Sequence, residues 1–176
     1  MVGAAIPAPD KGPAPKARES SVRLHRRGSA LNVYADSSAL VKAFVEEPGR
    51  DELLEILAGA TLIATVRLAY VETRAAFARA RRERRLTASE VRSVARALDQ
   101  RWTQLGIIEL DDALAREASA LTDAHPLRAS DAVHLAAALS VAAEEPQSVT
   151  FTCWDSRLWD EAQTYGFVMA PTYRPT

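Results

Sequence analysis

From Leu31 onward, apolar runs of three to five residues alternate with longer stretches of helical periodicity. The runs are Leu31–Ala35, Thr61–Ala64, Ile107–Leu110, Val149–Thr152 and Phe167–Met169. Between them, helices are expected over Ser38–Glu46, Arg50–Ala58, Val66–Arg84, Thr87–Gln104, Asp112–Thr122, Arg128–Ala142 and Ser156–Tyr165. Strands this short and apolar, separated by helices, cannot pair as hairpins. They pair in parallel through right-handed crossovers, with helices covering both faces of the sheet. The pattern predicts a single α/β domain, a three-layer α/β/α sandwich around a central parallel sheet, over 31–170, followed by a short tail at 171–176.

The first 30 residues break this pattern. Prolines at 7, 9, 13 and 15 with Gly3 and Gly12 deny them helix or strand, and they read as a disordered, basic leader. Six basic against two acidic side chains give the leader +4, while the remaining body carries −5. The overall −1 therefore excludes a histone-like protein whose total charge would explain nucleic-acid binding. A start of the working protein near Leu31 is the expectation. The single cysteine, Cys153, excludes an internal disulfide framework and fits a reducing, cytoplasmic setting. The longest charge-free run in the body, Ala132–Ala143, has 12 residues, whereas a membrane span needs about 20.

Most acids of the body, Glu46 and Glu47 among them, belong to solvated surfaces. Four do not. Asp36 follows the first strand and Asp155 the fourth, at strand C-termini, where open α/β sheets bind ligands. Each is also well placed to cap the helix that follows. Glu72 shares a helix face with Leu68, Ala69, Ala75 and Ala76, and Asp131 shares one with Leu127, Leu135 and Ala138. An unpaired carboxylate on such a face costs several kcal/mol unless a cation or donor meets it. An arginine, Arg67 or Arg74, is the structural alternative for Glu72. His134, one turn beyond Asp131, reads as a hydrogen-bonding core residue.

Four acids converging at one sheet edge would repel one another and hold protons unless a cation joined them. Mg2+ or Mn2+ suits an all-oxygen set. No Cys/His cluster of zinc spacing, Gly-rich phosphate loop or G-x-S-x-G elbow is present. Carboxylate-held metal fits phosphodiester hydrolysis by an activated water. A phosphohydrolase of haloacid-dehalogenase type would want Asp-x-Asp, whereas Asp36 is followed by Ser37 and Ser38.

The segments VYADSSALVKAFVEEPG, ATVRLAYVETRAAFARARRERRLT, PLRASDAVHLAAAL and TFTCWDSRLWDEAQTYGF closely resemble PIN-domain ribonucleases, and among these the VapC-type toxins of bacterial toxin–antitoxin pairs. The resemblance covers essentially all of Leu31–Met169 and none of the leader. It implies a PIN-like α/β/α fold and Mg2+- or Mn2+-dependent endoribonuclease activity on structured RNA such as tRNA or rRNA. It further implies a homodimer and a cognate antitoxin. Asp36 and Asp131 match the family's principal metal ligands, Glu72 and Asp155 its further acids, and Ser38 a hydroxyl that supports the first acid. Lys42 and His134 match frequent, non-catalytic positions. Cys153 stands where the family often has Thr or Ser, a weaker hydrogen-bonding group beside the last acid.

RNA contacts are expected at the basic helix end, Arg74, Arg79, Arg81, Arg82, Arg84 and Arg85, the alternative being a solvated helix terminus where cations favour the macrodipole. Arg79, seven residues after Glu72, is the expected phosphate contact near the metal. The alternative to a catalyst is a PIN-like module that binds RNA or a partner without turnover.

Overall fold

The five apolar runs form one parallel sheet in a computed structural model that describes residues 31–143 and 145–176. The expected leader, 1–30, lies outside the described residues. In chain order the elements are β1 (Asn32–Ala35), α1 (Ser37–Phe44), α2 (Arg50–Gly59), β2 (Leu62–Val66), α3 (Leu68–Arg82), α4 (Ala88–Trp102) and β3 (Gly106–Ile108). They continue with α5 (Asp112–Ala124), α6 (Ala129–Ala142), a 3-10 turn (Pro146–Ser148), β4 (Val149–Thr152), α7 (Ser156–Thr164) and β5 (Val168–Ala170).

The strand order is β3-β2-β1-β4-β5. From β1 the chain moves outward on one side through β2 and β3, then returns to the other side of β1 to lay down β4 and β5. The direction of winding therefore reverses between β1 and β4, which opens a crevice beyond their C-terminal ends. Asn32 to Ala35 of β1 sit opposite Val149 to Thr152 of β4. The pairing runs one bond further, with the Asp36 amide donating to the Thr152 carbonyl at 3.2 Å.

Helices α1 to α4 pack among themselves, and α5 with α6 and α7 forms a second group, giving the three layers. The central strands β1 and β4 are buried but for Asn32 and Thr150, and aromatics stack across the sheet: Tyr34 of β1 to Phe151 of β4 at 5.2 Å, and Phe151 to Phe167, just before β5, at 5.4 Å between ring centroids. Each such side chain contributes about 1.5–3 kcal/mol by leaving water. Two buried threonines satisfy their hydroxyls on β1 carbonyls, Thr65 on Ala35 at 2.6 Å and Thr152 on Tyr34 at 3.0 Å.

The element limits differ from the sequence reading where tertiary pairing decides them. Strand β2 lies later than the expected Thr61–Ala64, because Thr65 and Val66 pair with Ile107 and Ile108 of β3. Strand β3 stops before Glu109, whose carboxylate pairs with Arg67 instead. Helix α1 starts at Ser37 because Asp36 itself caps it. Residues 171–176 pack back on α7: the Trp159 indole donates to the Pro171 carbonyl at 3.0 Å, and Arg174 grips Asp160 through two bonds of 2.6 and 2.8 Å. Among the described residues, no helix is long and apolar enough to cross a membrane.

Candidate functional site

The crevice beyond β1 and β4 is a cleft of about 410 Å³. Asp36, Glu72, Asp131 and Asp155 all line it, and so do Ser38, Arg79, Arg128, His134 and Trp154. The four acids, separated by up to 119 positions in sequence, are brought together by the parallel topology.

Asp36 is only 2 % exposed. Its Oδ1 accepts from the Ala39 amide at 2.8 Å, capping α1, and the Ser38 hydroxyl donates across both carboxylate oxygens at 2.7 and 2.9 Å. Burial raises its pKa above the ordinary value despite these bonds and the nearby His134. Ser38 Oγ also accepts from the Trp154 amide at 2.7 Å, tying the loop after β4 to the start of α1.

Asp155 repeats the pattern. Its Oδ1 accepts from the Arg157 and Leu158 amides at 2.9 and 3.1 Å and caps α7, while Oδ2 lies 3.6 Å from Arg128 Nη1. Capping and cleft lining, alternatives in the sequence, coexist here because one oxygen serves each purpose. Cys153 is fully buried beneath it, its Sγ accepting from the Asp155 amide and donating to the Asp155 carbonyl, each at 3.3 Å. Burial, reinforced by the Asp36 charge, pushes the thiol pKa well up, so Cys153 is a protonated structural donor rather than a nucleophile.

Asp131 sits in the first turn of α6 and is 7 % exposed. Its Oδ2 is buried with no hydrogen-bond partner, and the Ser130 hydroxyl makes only a long 3.4 Å approach to Oδ1. Burial first and the Asp155 charge second raise its pKa. Such an orphaned oxygen is costly in a native fold unless something absent from the chain itself meets it.

Glu72 is only half-buried, its side chain 26 % exposed, for the buried face of α3 is Ala69, Thr73, Phe77 and Ala80. The acid stands at the rim of that face, not within it. Its expected arginine partners are engaged elsewhere: Arg67 with Glu109, and Arg74 with Tyr70 and Asp99. The partner is His134, whose Nε2 lies 2.8 Å from Glu72 Oε2, and His134 Nδ1 in turn lies 2.9 Å from the Tyr34 hydroxyl. Tyr34 and His134 are both fully or almost fully buried. Burial alone would raise the Glu72 pKa, but the His134 hydrogen bond and charge outweigh it and lower the value.

Three cleft residues escaped the sequence reading. Arg128 and Trp154 carry no motif of their own; they enter the site only because the topology puts α6 and the loop after β4 at its mouth. Glu47, grouped with the solvated acids, also lines the cleft, held by Lys42 at 3.5 Å and Arg85 at 3.2 Å. Arg79 does reach the cleft, and no described residue pairs with it in the structure. Lys42 is absorbed structurally, donating to the Pro48 carbonyl at 2.6 Å beneath the Trp154 ring.

The donor set is wholly oxygen, and the orphaned Asp131 Oδ2 beside Asp155 offers a buried negative pole, which suits a hard divalent cation. Among the described residues, no three His, Cys, Asp or Glu side chains already close around one point as ligands.

Comparison with known proteins agrees with this architecture. The PIN domain family model matches residues 33–151. Ribonuclease VapC45 and ribonuclease VapC49 of Mycobacterium tuberculosis, strains CDC 1551 and H37Rv, are each 39 % identical over 139 residues, spanning 79 % of this chain and 94 % of theirs. Among solved structures, a toxin–antitoxin complex from Klebsiella pneumoniae shares the fold with a TM-score of 0.57 at 14 % identity, over 81 % of this chain and 99 % of that one. FitAcB from Neisseria gonorrhoeae does so with a TM-score of 0.56 at 15 % identity, over 78 % and 95 %. A parallel sheet wound about β1 and β4, an acidic cleft at its switch point and relatives covered almost end to end together place the chain in the PIN-domain family, in its VapC-type branch.

Proposed function

We propose that the protein is a Mg2+- or Mn2+-dependent endoribonuclease and the toxin of a toxin–antitoxin pair, acting in the cytoplasm on tRNA or rRNA. The observation that carries the metal dependence is the buried, unpartnered Asp131 Oδ2 facing Asp155 across a cleft that also holds Asp36 and Glu72. The names of the mycobacterial relatives support ribonuclease activity, and the Klebsiella complex supports an antitoxin partner. A homodimer belongs to the same reading.

Asp36 and Asp131 would hold the cation, with Glu72 and Asp155 completing the site or holding a second ion. When bound, a divalent cation supplies positive charge that activates water and stabilises the charge developing on the phosphate and leaving oxygen. Ser38 fixes the Asp36 carboxylate from the side facing Trp154, so its lone pairs are aimed before any ligand arrives. His134 holds Glu72 Oε2 and so fixes this carboxylate in the wall of the cleft. Arg79, exposed and unpaired on the same helix as Glu72, contributes positive charge to the acidic cleft for an approaching phosphate.

Asp36→Asn and Asp131→Asn test this directly: asparagine caps α1 as well as aspartate does, and Asp131 Oδ2 has no hydrogen bond to lose, so the fold survives. Each is expected to cut Mg2+-dependent RNA cleavage by about 100-fold or more, and EDTA should abolish cleavage by the parent protein. Undiminished cleavage by either variant, or by the parent in EDTA, refutes the reading. RNA binding without turnover in Mg2+ and Mn2+ would leave a binding module in its place.

A further inference from the structure

We propose that Arg128 is an internal counter-ion of the acidic cleft, handed from Asp155 to a substrate phosphate when a divalent cation enters. The inference rests on the metal-dependent reading above and adds a phosphate-binding residue to it.

Arg128 occupies the cap position of α6 with extended backbone angles (φ −72°, ψ 158°), and its side chain makes no capping bond. Its carbonyl accepts from the Ala132 amide at 2.9 Å, so the backbone does the work of starting the helix and the guanidinium is left for another purpose. That guanidinium reaches Asp155 Oδ2, the one oxygen of Asp155 not committed to capping α7. The contact is long at 3.6 Å, and the two side chains are 60 % and 34 % exposed. A pair so open to water is weakly held and readily exchanged. Nearby, Asp131 Oδ2 has no partner, and the Arg128 charge is what offsets Asp155 there.

The cleft thus contains a cation placed where carboxylates would otherwise face one another uncompensated. A divalent ion on those carboxylates replaces that compensation and releases the guanidinium. The released fork stands at the mouth of the same cleft as Arg79, on a different wall: Arg128 at the start of α6, Arg79 on α3. A planar guanidinium donates to two phosphate oxygens at once in a fixed fork, a geometry lysine does not offer. The two arginines would then hold the backbone from opposite sides of the acids. Metal and RNA become positively coupled through Arg128, because it is freed for one by the arrival of the other.

The test measures two affinities of the full chain and its Arg128→Ala, Arg128→Gln and Arg128→Lys variants. One is for Mn2+ alone, by equilibrium dialysis; the other is for bulk tRNA in Mn2+, by filter binding across a salt series. Removing the charge should tighten Mn2+ binding by about threefold or more. It should weaken tRNA binding about tenfold and lower the salt slope by about one. Arg128→Lys should retain most of the slope but not the affinity. Opposite movement of the two affinities is a result that lost folding cannot produce, since that would weaken both. Unchanged Mn2+ and tRNA affinities, or a fall in both for Ala and Gln alike, overturn the counter-ion role. Failure of the parent protein to take up Mn2+ overturns the metal reading itself.

Discussion

Tyr34→Phe removes a single oxygen from the centre of the fold and should be felt at the cleft. The Tyr34 hydroxyl is the only partner of His134 Nδ1 among the described residues, at 2.9 Å, and His134 Nε2 holds Glu72 at 2.8 Å. Phenylalanine keeps the ring, so the contacts to Phe151 at 5.2 Å and to the His134 ring at 6.0 Å persist and no cavity opens. What changes is that Nδ1 loses its partner in a place where His134 is 2 % exposed and water does not replace it. Orphaning a buried polar group costs about 1–3 kcal/mol. For a domain of this size each kcal/mol lowers Tm by about 2–4 °C, so a loss of about 2–12 °C is expected. Urea unfolding at neutral pH measures the free energy, and RNA cleavage by the same variant reads Glu72. A histidine freed at one end no longer fixes the acid at the other, so kcat should fall with KM little changed. Pairing the change with His134→Leu closes a double-mutant cycle, in which the double variant should lose less than the sum of the singles. Stability within about 0.5 kcal/mol of the parent would refute the chain from Tyr34 to Glu72, because surface-sized effects are of that order.

Other consequences follow from the same geometry. Asp131 has a folded pKa above its ordinary value, so its ionisation opposes folding; the penalty is complete above the folded pKa and vanishes below the unfolded one. In EDTA, Asp131→Asn should therefore stabilise the protein at neutral pH by about 0.5–2 kcal/mol, with the advantage disappearing in acid; a less stable variant at pH 7 would contradict this. Glu72 has the opposite sign: its lowered pKa contributes stability above the ordinary glutamate value that is lost as pH falls through the folded one, so Glu72→Gln should flatten the acid limb of a pH–stability curve. Mn2+ should raise the Tm of the parent in proportion to the logarithm of its concentration and leave Asp131→Asn unmoved. Gly49 has φ +84°, and an added Cβ would meet Trp154 Nε1 at 3.1 Å. Gly49→Ala should cost about 1–3 kcal/mol by denaturant unfolding and should displace the tryptophan that lines the cleft; a neutral substitution would show that the loop between α1 and α2 can relax.

Much of this protein is written locally. Short apolar runs separated by helical periods dictate a parallel sheet, because no hairpin can join them, and the capping chemistry of Asp36, Asp155 and Thr87 marks helix starts that the structure places within a residue of the expectation. Asp36 and Asp155 were legible as candidates because strand C-termini are where parallel sheets meet ligands. Asp131 was legible because an acid on an otherwise apolar helix face needs a reason. What local sequence does not carry is distance. Whether Glu72 meets Arg67, Arg74 or His134 depends on how α3 and α6 pack across β2, and the winning partner lies 62 positions away. Strand β2 ends where β3 stops pairing with it, not where its apolar run ends. Arg128 looks like an ordinary polar residue before a helix, and becomes a cleft cation only because β4 returns beside β1 and swings Asp155 up to it. Periodicity and caps are fixed by neighbours along the chain, whereas a charge acquires its partner, its burial and its pKa from groups that only the folded topology brings within a few ångströms.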